Sequence, residues 1–347
     1  MRRVSLYQHP SYLEHDTGWG HPECPQRLSA INEGLDERGL RAKTIARDPG
    51  KATRDQLCLV HAYRYVDRIL SLSGQHEQLD ADTCVSPGSV EAALFAAGAL
   101  IDGVDAVLEG TCDTAVCLVR PPGHHAERDR AMGFCLFNNV AVAAGHATAV
   151  RGLKRVLIFD PDVHHGNGTQ HIFYDRPDVL YFSIHQWPFY PGTGDVGEIG
   201  TGEGTGYTVN VPLPAGMGDA DYAYVGEKLL LPMIDEYRPE LVLFSAGFDA
   251  HAQDPLAGME LSDEGYQGMY GALVGRLDTL GTPYAFALEG GYSLEVMKKV
   301  VPDLIDSLVT SEFASPNAQQ PGEEAVRCVK EVCRRLGRAG LEERQRD

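Results

Sequence analysis

The stretch that follows the apolar run Val156–Phe159 is dense in side chains able to bind a metal or move a proton. Asp160, Asp162, His164, His165 and Asn167 follow one another there. Asp162 and His164 are two apart, so extended backbone projects both to one side. An oxygen and a nitrogen ligand on the same side make half of a metal site. A second segment, Leu118–Ala126, reads LVRPPGHHA. Its prolines and glycine fix the backbone ahead of His124 and His125. Adjacent side chains diverge, so this pair suits two separate acid–base duties, each steered by its own partner. A third segment, Leu241–Met259, places Asp249 and Asp254 after an apolar run, and either would complete a metal site as a second carboxylate. In a fourth, AFALEGGYSL, two glycines let the backbone bend sharply before Tyr292. A phenol O–H is a good donor to a developing oxyanion.

These groups need a scaffold that brings them together. Short runs rich in Val, Leu, Ile and Phe recur at Ala115–Val119, Val156–Phe159, Val179–Ser183, Leu241–Ser245 and Tyr284–Leu288. Amphipathic stretches such as Asn139–Val150 and Tyr222–Tyr237 separate them. Continuous apolar strands alternating with helices predict an α/β fold, a central parallel sheet with helices on both faces. Each polar cluster starts where a predicted strand ends, and ligands of open α/β sheets bind beyond the carboxyl ends of the strands. The spacing predicts one domain over residues 1–347, with a core to about 310. A polar connector, Ser311–Gly322, then leads to a last helix with Ala325, Val326, Val329, Val332, Cys333 and Leu336 on one face.

The formal net charge of −19 opposes phosphate backbones and favours cationic substrates, which argues against nucleic acid as a partner. No apolar run approaches the roughly 18 residues of a membrane span, and no apolar stretch follows the two N-terminal arginines as in a signal peptide. The eight cysteines form no CxxC pair and read as reduced core thiols. A cytoplasmic protein with no membrane partner is the expectation, and the sequence is compatible with a homo-oligomer. GTGDVG at Gly192–Gly197 lacks the strand–helix context of a dinucleotide site, and no G-x-S-x-G surrounds Ser245.

Taken in order, RPPGHHA, DPDVHHGNG, AGFDAHAQDPL and LEGGY resemble the signature set of the histone deacetylase family and its acetylpolyamine amidohydrolase relatives. HPECPQRL (His21–Leu28), DADTCVSPGS (Asp80–Ser89) and GFCLFNNVAVAA (Gly133–Ala144) extend the likeness over residues 14–305. The resemblance implies an arginase–deacetylase fold and one catalytic zinc held by Asp162, His164 and Asp254. It makes His125 the general base toward a metal-bound water, His124 its electrostatic neighbour paired with Asp160, and Tyr292 the oxyanion donor. Asn167 would orient His125, as in the class II and bacterial branch. Gly133, Phe134 and Tyr190 would line a substrate channel, with Leu261 and the adjacent Glu260 at its rim and His21 near its mouth. A structural potassium would sit near Asp160, Asp162, His164 and the Ser183 hydroxyl. The implied substrates are acetylated lysine in a protein or peptide, or an acetylated polyamine, and the same ligands would also suit ferrous iron. An arginase-like pair of manganese ions is disfavoured, because Gly166 stands where a further carboxylate is needed. A silent acyl-lysine binding protein is disfavoured, because Tyr292 and the ligands are present.

Overall fold

The structure, a computed structural model, describes residues 1–314 and 320–337. Its eight main strands are β1 (Val4–Tyr7), β2 (Ile45–Arg47), β3 (Thr114–Cys117), β4 (Val156–Asp160), β5 (Val179–Gln186), β6 (Thr208–Leu213), β7 (Leu241–Ala246) and β8 (Tyr284–Leu288). They form one sheet in the order β2-β1-β3-β8-β7-β4-β5-β6, and every neighbouring pair is parallel. Every residue of β4, β5 and β7 is buried. Because alternate residues point to opposite faces, complete burial means that both faces are covered. The helix Ser89–Leu108 packs on Asn139–Ala149, while Leu294–Thr310 packs on Gln26–Glu37 and on Asp263–Leu280. The predicted parallel α/β architecture is the observed one.

The strand order explains why distant motifs meet. β3, β8, β7 and β4 are consecutive neighbours at the centre of the sheet. Their carboxyl ends feed the segments that begin at Leu118, Glu289, Gly247 and Pro161. Phe244 of β7 is the register partner of both Phe286 and Phe159, and its ring stacks on Phe286 at 4.2 Å. This aromatic layer lies directly beneath the strand ends and fixes their relative height.

Two details differ from expectation. The amphipathic stretch at Tyr222–Tyr237 is a helix interrupted by a π turn at Gly226–Leu230. Pro232 just beyond has no N–H to give to a carbonyl one turn back, and the wider turn accommodates that loss. A two-stranded antiparallel hairpin, Glu77–Gln78 with Cys84–Val85, was not foreseen and holds the turn between them. The last helix spans Glu323–Arg335 and buries Ala325, Val329, Val332 and Cys333, while Val326 and Leu336 are half-buried. Residues 315–319 of the expected connector and residues 338–347 lie outside the described residues. Among the described residues no helix is long and apolar enough to cross a membrane.

A buried ionic clamp fastens the N-terminal segment to the central strand ends. Glu23, Arg27 and Arg120 are each fully buried. Glu23 accepts from Arg120 at 2.5 Å and 2.7 Å and from Arg27 at 3.1 Å. Arg27 donates onward to the backbone carbonyls of Gly291 and Glu289. Burial alone would raise the Glu23 carboxyl, but the two guanidinium charges outweigh it and hold it at about 2. Removing one member of such a cluster leaves a buried charge uncompensated, at a cost of about 3–5 kcal/mol. Glu23→Gln is therefore expected to lose about that much stability in urea unfolding. In the parent protein the contribution of Glu23 is complete above the unfolded-state value near 4.5 and disappears as pH falls through about 2. A variant as stable as the parent at neutral pH would contradict this account.

Candidate functional site

The strand-end segments bring a dense set of ionisable groups together. Asp160, the last residue of β4, is fully buried. Its Oδ2 accepts from the Tyr181 hydroxyl at 3.0 Å and lies 3.1 Å from His124 Nδ1. The other ring nitrogen of His124 is 3.7 Å from Asp162. Burial works against a charged His124, but the carboxylates of Asp162, Asp160 and Glu289 prevail and push it up to about 10. His125, whose ring lies 4.0 Å from that of His124, behaves oppositely. Burial, then the charges of His124 and His164, hold it well below its ordinary range. Its Nδ1 meets Asn167 Oδ1 at 2.8 Å. The surroundings thus favour a charged ring at His124 and a neutral one at His125.

Beside this pair, Asp162, His164 and Asp249 each offer a ligand atom, all within 4.8 Å of one another and all buried. His164 Nδ1 is 3.2 Å from Asp162 Oδ1 and 3.1 Å from Asp249 Oδ2. The remaining oxygens are tied to the backbone. Gly290 N–H donates to Asp162 Oδ2 at 2.8 Å, and Val163 N–H to Asp249 Oδ1 at 2.9 Å. Asp249 is the second carboxylate of this cluster. Asp254, the ligand that the resemblance implies, lies buried in the same loop and feels the charge of Asp249. Its Oδ2 accepts from the N–H groups of Tyr292 at 2.6 Å and Ser293 at 3.2 Å, and its Oδ1 from Leu256 at 3.0 Å. These bonds tie Asp254 to the tyrosine loop.

The donor set fits a divalent cation. Burial and the charge of Asp162 raise the Asp249 carboxyl. Burial and the charge of Asp249 raise Asp254 to about 6. Glu289, fully buried, is pushed by that burial to about 7. A site that drives its own carboxylates toward protonation has more negative charge than its histidines offset, and a bound cation would relieve it.

The residues expected of a substrate channel have the following surroundings. Gly133 has φ +56, and a Cβ there would lie 2.3 Å from the His125 ring, so only glycine permits this approach. Phe134 packs edge-on to His21 at 4.7 Å and to Tyr292 at 6.0 Å. Tyr190 meets the His125 ring at 5.2 Å. Phe189, which the sequence did not single out, stacks on His164 at 5.3 Å. Leu261 is a correction: it is fully buried in the core, pinned by backbone bonds to Ala250 and Ala252, and offers no channel surface. Glu260 beside it is exposed and Leu256 half-buried. Ser183 is the register partner of Asp160, and its hydroxyl pairs with His185 at 2.9 Å. The Tyr292 ring lies under the Arg27 guanidinium at 4.9 Å, and burial keeps its phenol protonated.

Comparison with known proteins now decides the family. A histone deacetylase domain model matches residues 21–308. The chain belongs to the histone deacetylase family. It is 39% identical to Histone deacetylase 5 of Arabidopsis thaliana over 355 residues, covering 96% of this chain and 53% of that protein. The chain therefore spans about half the length of that relative. It is 41% identical to Polyamine deacetylase HDAC10 of Homo sapiens over 314 residues, covering 84% of this chain and 46% of the relative. The crystal structure of the HDA15 HD domain superposes with a TM-score of 0.91 at 35% identity, covering 99% of this chain and 98% of that one.

Within this deacetylase fold, two acidic residues escaped the sequence reading. Glu127 accepts from Asn167 Nδ2 at 2.6 Å and so stands behind the residue that orients His125. Glu289 accepts from Gly123 N–H at 2.6 Å and His124 N–H at 3.1 Å, binding the end of β8 to the histidine turn. Glu289 lies inside LEGGY and Glu127 directly follows RPPGHHA, and their burial was the missing signal. The ligand assignment gives a direct test by zinc titration of the metal-stripped protein. Asp254→Asn is expected to weaken binding by more than ~100-fold, and Asp249→Asn by ~10-fold or less, as for a supporting residue. The reverse ranking would put Asp249 in the ligand set in place of Asp254.

Proposed function

We propose that this chain is a zinc-dependent amidohydrolase that removes acetyl or short acyl groups from the ε-amine of lysine in proteins or peptides, and that the described core is its catalytic domain. The observation that carries this reading is the pair of adjacent histidines, one paired with Asp160 and the other with Asn167, beside a buried Asp–His–Asp cluster. Asp162, His164 and Asp254 would hold the metal, with Asp249 beside them at 3.1 Å from His164. Zinc, when bound at such a site, supplies Lewis acidity toward a carbonyl and an attacking water.

The chain's own groups divide the remaining work. His125 is neutral and free to accept a proton at Nε2, while Asn167 engages Nδ1. His124 is held as a cation by Asp160 and the neighbouring carboxylates, and its charge opposes build-up of negative potential near the substrate carbonyl. The Tyr292 phenol keeps its proton and can donate to the carbonyl oxygen as charge develops there. His125 then returns its proton to the departing amine, so the lysine leaves as a neutral amine and the second product is acetic acid, which releases its proton to water as acetate. Phe134 and Tyr190 offer apolar surface for the methylenes of a lysine stem. The potassium expectation rests on the resemblance alone.

An acetylated polyamine is the second reading. A relative at 41% identity is named a polyamine deacetylase, and in this chain the exposed residue of the 260–261 pair is the acidic one. Side-by-side hydrolysis of an acetyl-lysine peptide and an N-acetylated polyamine by zinc-loaded protein separates the two. The peptide is expected to have the higher kcat/KM. Tyr292→Phe is expected to lower kcat by ~10²–10³ with little change in KM, as for loss of one oxyanion donor. Faster polyamine turnover would reverse the substrate assignment, and an undiminished kcat in Tyr292→Phe would remove the phenol from the mechanism.

A further inference from the structure

Just outside the channel, the surface of this acidic chain turns locally basic. A groove of about 350 Å³ is lined by Arg64, Arg68 and Arg130, with Tyr65, Leu79 and Asp129 among its other walls. All three arginines are exposed. Arg68 pairs with Glu77 at 2.8 Å. The guanidinium of Arg130 donates only to the Met132 sulfur, at 3.3 Å, and that of Arg64 has no hydrogen-bond or carboxylate partner among the described residues. Acidic side chains outnumber basic ones 49 to 30 in this chain, so two unpaired guanidinium groups opening into one groove call for an explanation.

The groove adjoins the reaction centre on two sides. Met132, which Arg130 touches, also contacts the Asn167 amide at 3.4 Å, and Gly133 next in sequence abuts His125. Leu79 on the opposite wall leads into the turn whose Thr83 hydroxyl accepts from Phe134 N–H at 3.0 Å. The groove therefore flanks the channel between the 79–83 turn and the 129–131 loop. A chain entering the channel through one side chain must lay its neighbouring residues along this rim.

We propose that this groove is a substrate subsite for a carboxylate, namely an acidic residue flanking the acyl-lysine in a peptide or protein substrate. This rests on the acyl-lysine reading of the active site. Guanidinium groups bind carboxylates with paired, directional hydrogen bonds, and an unpaired arginine gives up no internal ion pair to do so. A polyamine has no anionic group to place there, so the same subsite favours peptides over polyamines.

The test uses three acetyl-lysine peptides that differ only in an Asp, Ala or Lys beside the modified residue. The parent enzyme is expected to prefer the Asp peptide over the Ala peptide by about tenfold in kcat/KM, through KM, with the preference shrinking as salt is added. Arg64→Gln and Arg130→Gln should each reduce that ratio, and the double variant should abolish it, with the Ala peptide turned over as before. Anisotropy of the same labelled peptides on Tyr292→Phe protein reads the groove without turnover. Equal affinity for Asp and Ala peptides, or a preference that survives in the double variant, overturns the subsite. If the Ala peptide binds but is never hydrolysed by the parent enzyme, the deacetylase reading fails while the binding comparison still decides the groove.

Discussion

The structure depends on negative charge gathered where the solvent cannot reach it. Asp160, Asp162, Asp249, Asp254 and Glu289 are all buried where three adjacent strands, β8, β7 and β4, end. A buried carboxylate is tolerated only when hydrogen-bonded and offset by positive charge. The chain meets the first requirement largely with backbone. N–H groups of Gly290, Val163, Gly123 and Tyr292 each point at one of these oxygens, which explains why the segments are rich in glycine and follow strands so closely. The second requirement is met in part by His124 and His164, whose neighbouring carboxylates push them to about 10 and about 9 against the effect of burial. What remains uncompensated is the electrostatic case for a cation.

The same constraint separates two chemically identical neighbours. His124 and His125 share a turn, a depth of burial and a motif, yet one faces Asp160 and the other Asn167. A carboxylate stabilises the imidazolium; a neutral amide orients the ring without doing so. Once His124 is charged, its field disfavours a second charge on His125. The clamp of Glu23, Arg27 and Arg120 belongs to the same design, because Arg27 reaches the carbonyls at the end of β8 and covers the Tyr292 ring. Removing any of these supports would loosen the loop that carries the phenol.

Much of this was legible in the sequence. Fully apolar strand runs, each ending in polar motifs, predict a parallel sheet with a site at its carboxyl edge. Asp162 and His164, His124 and His125, and Tyr292 all lie where their motifs put them. What was not legible has physical causes. Asp249 and Asp254 are five residues apart in one loop, and only the folded backbone shows that the first meets His164 while the second accepts the N–H of Tyr292. Leu261 is an apolar residue in a loop, and only its backbone pairing with Ala250 and Ala252 reveals that it turns inward. Phe189 and Glu127 act through stacking and hydrogen bonding to residues distant in sequence, which no local pattern encodes. The basic groove is a property of two segments that sequence order keeps apart.

The most direct test of the central claim is thermal unfolding of metal-stripped protein as zinc is added. A cation that balances the buried carboxylates binds the folded state and scarcely the unfolded chain. Free zinc at a thousandfold excess over Kd should then raise stability by about 4 kcal/mol, and by about 1.4 kcal/mol more for each further tenfold. A Tm unmoved by zinc, in protein that unfolds cooperatively, would contradict the account.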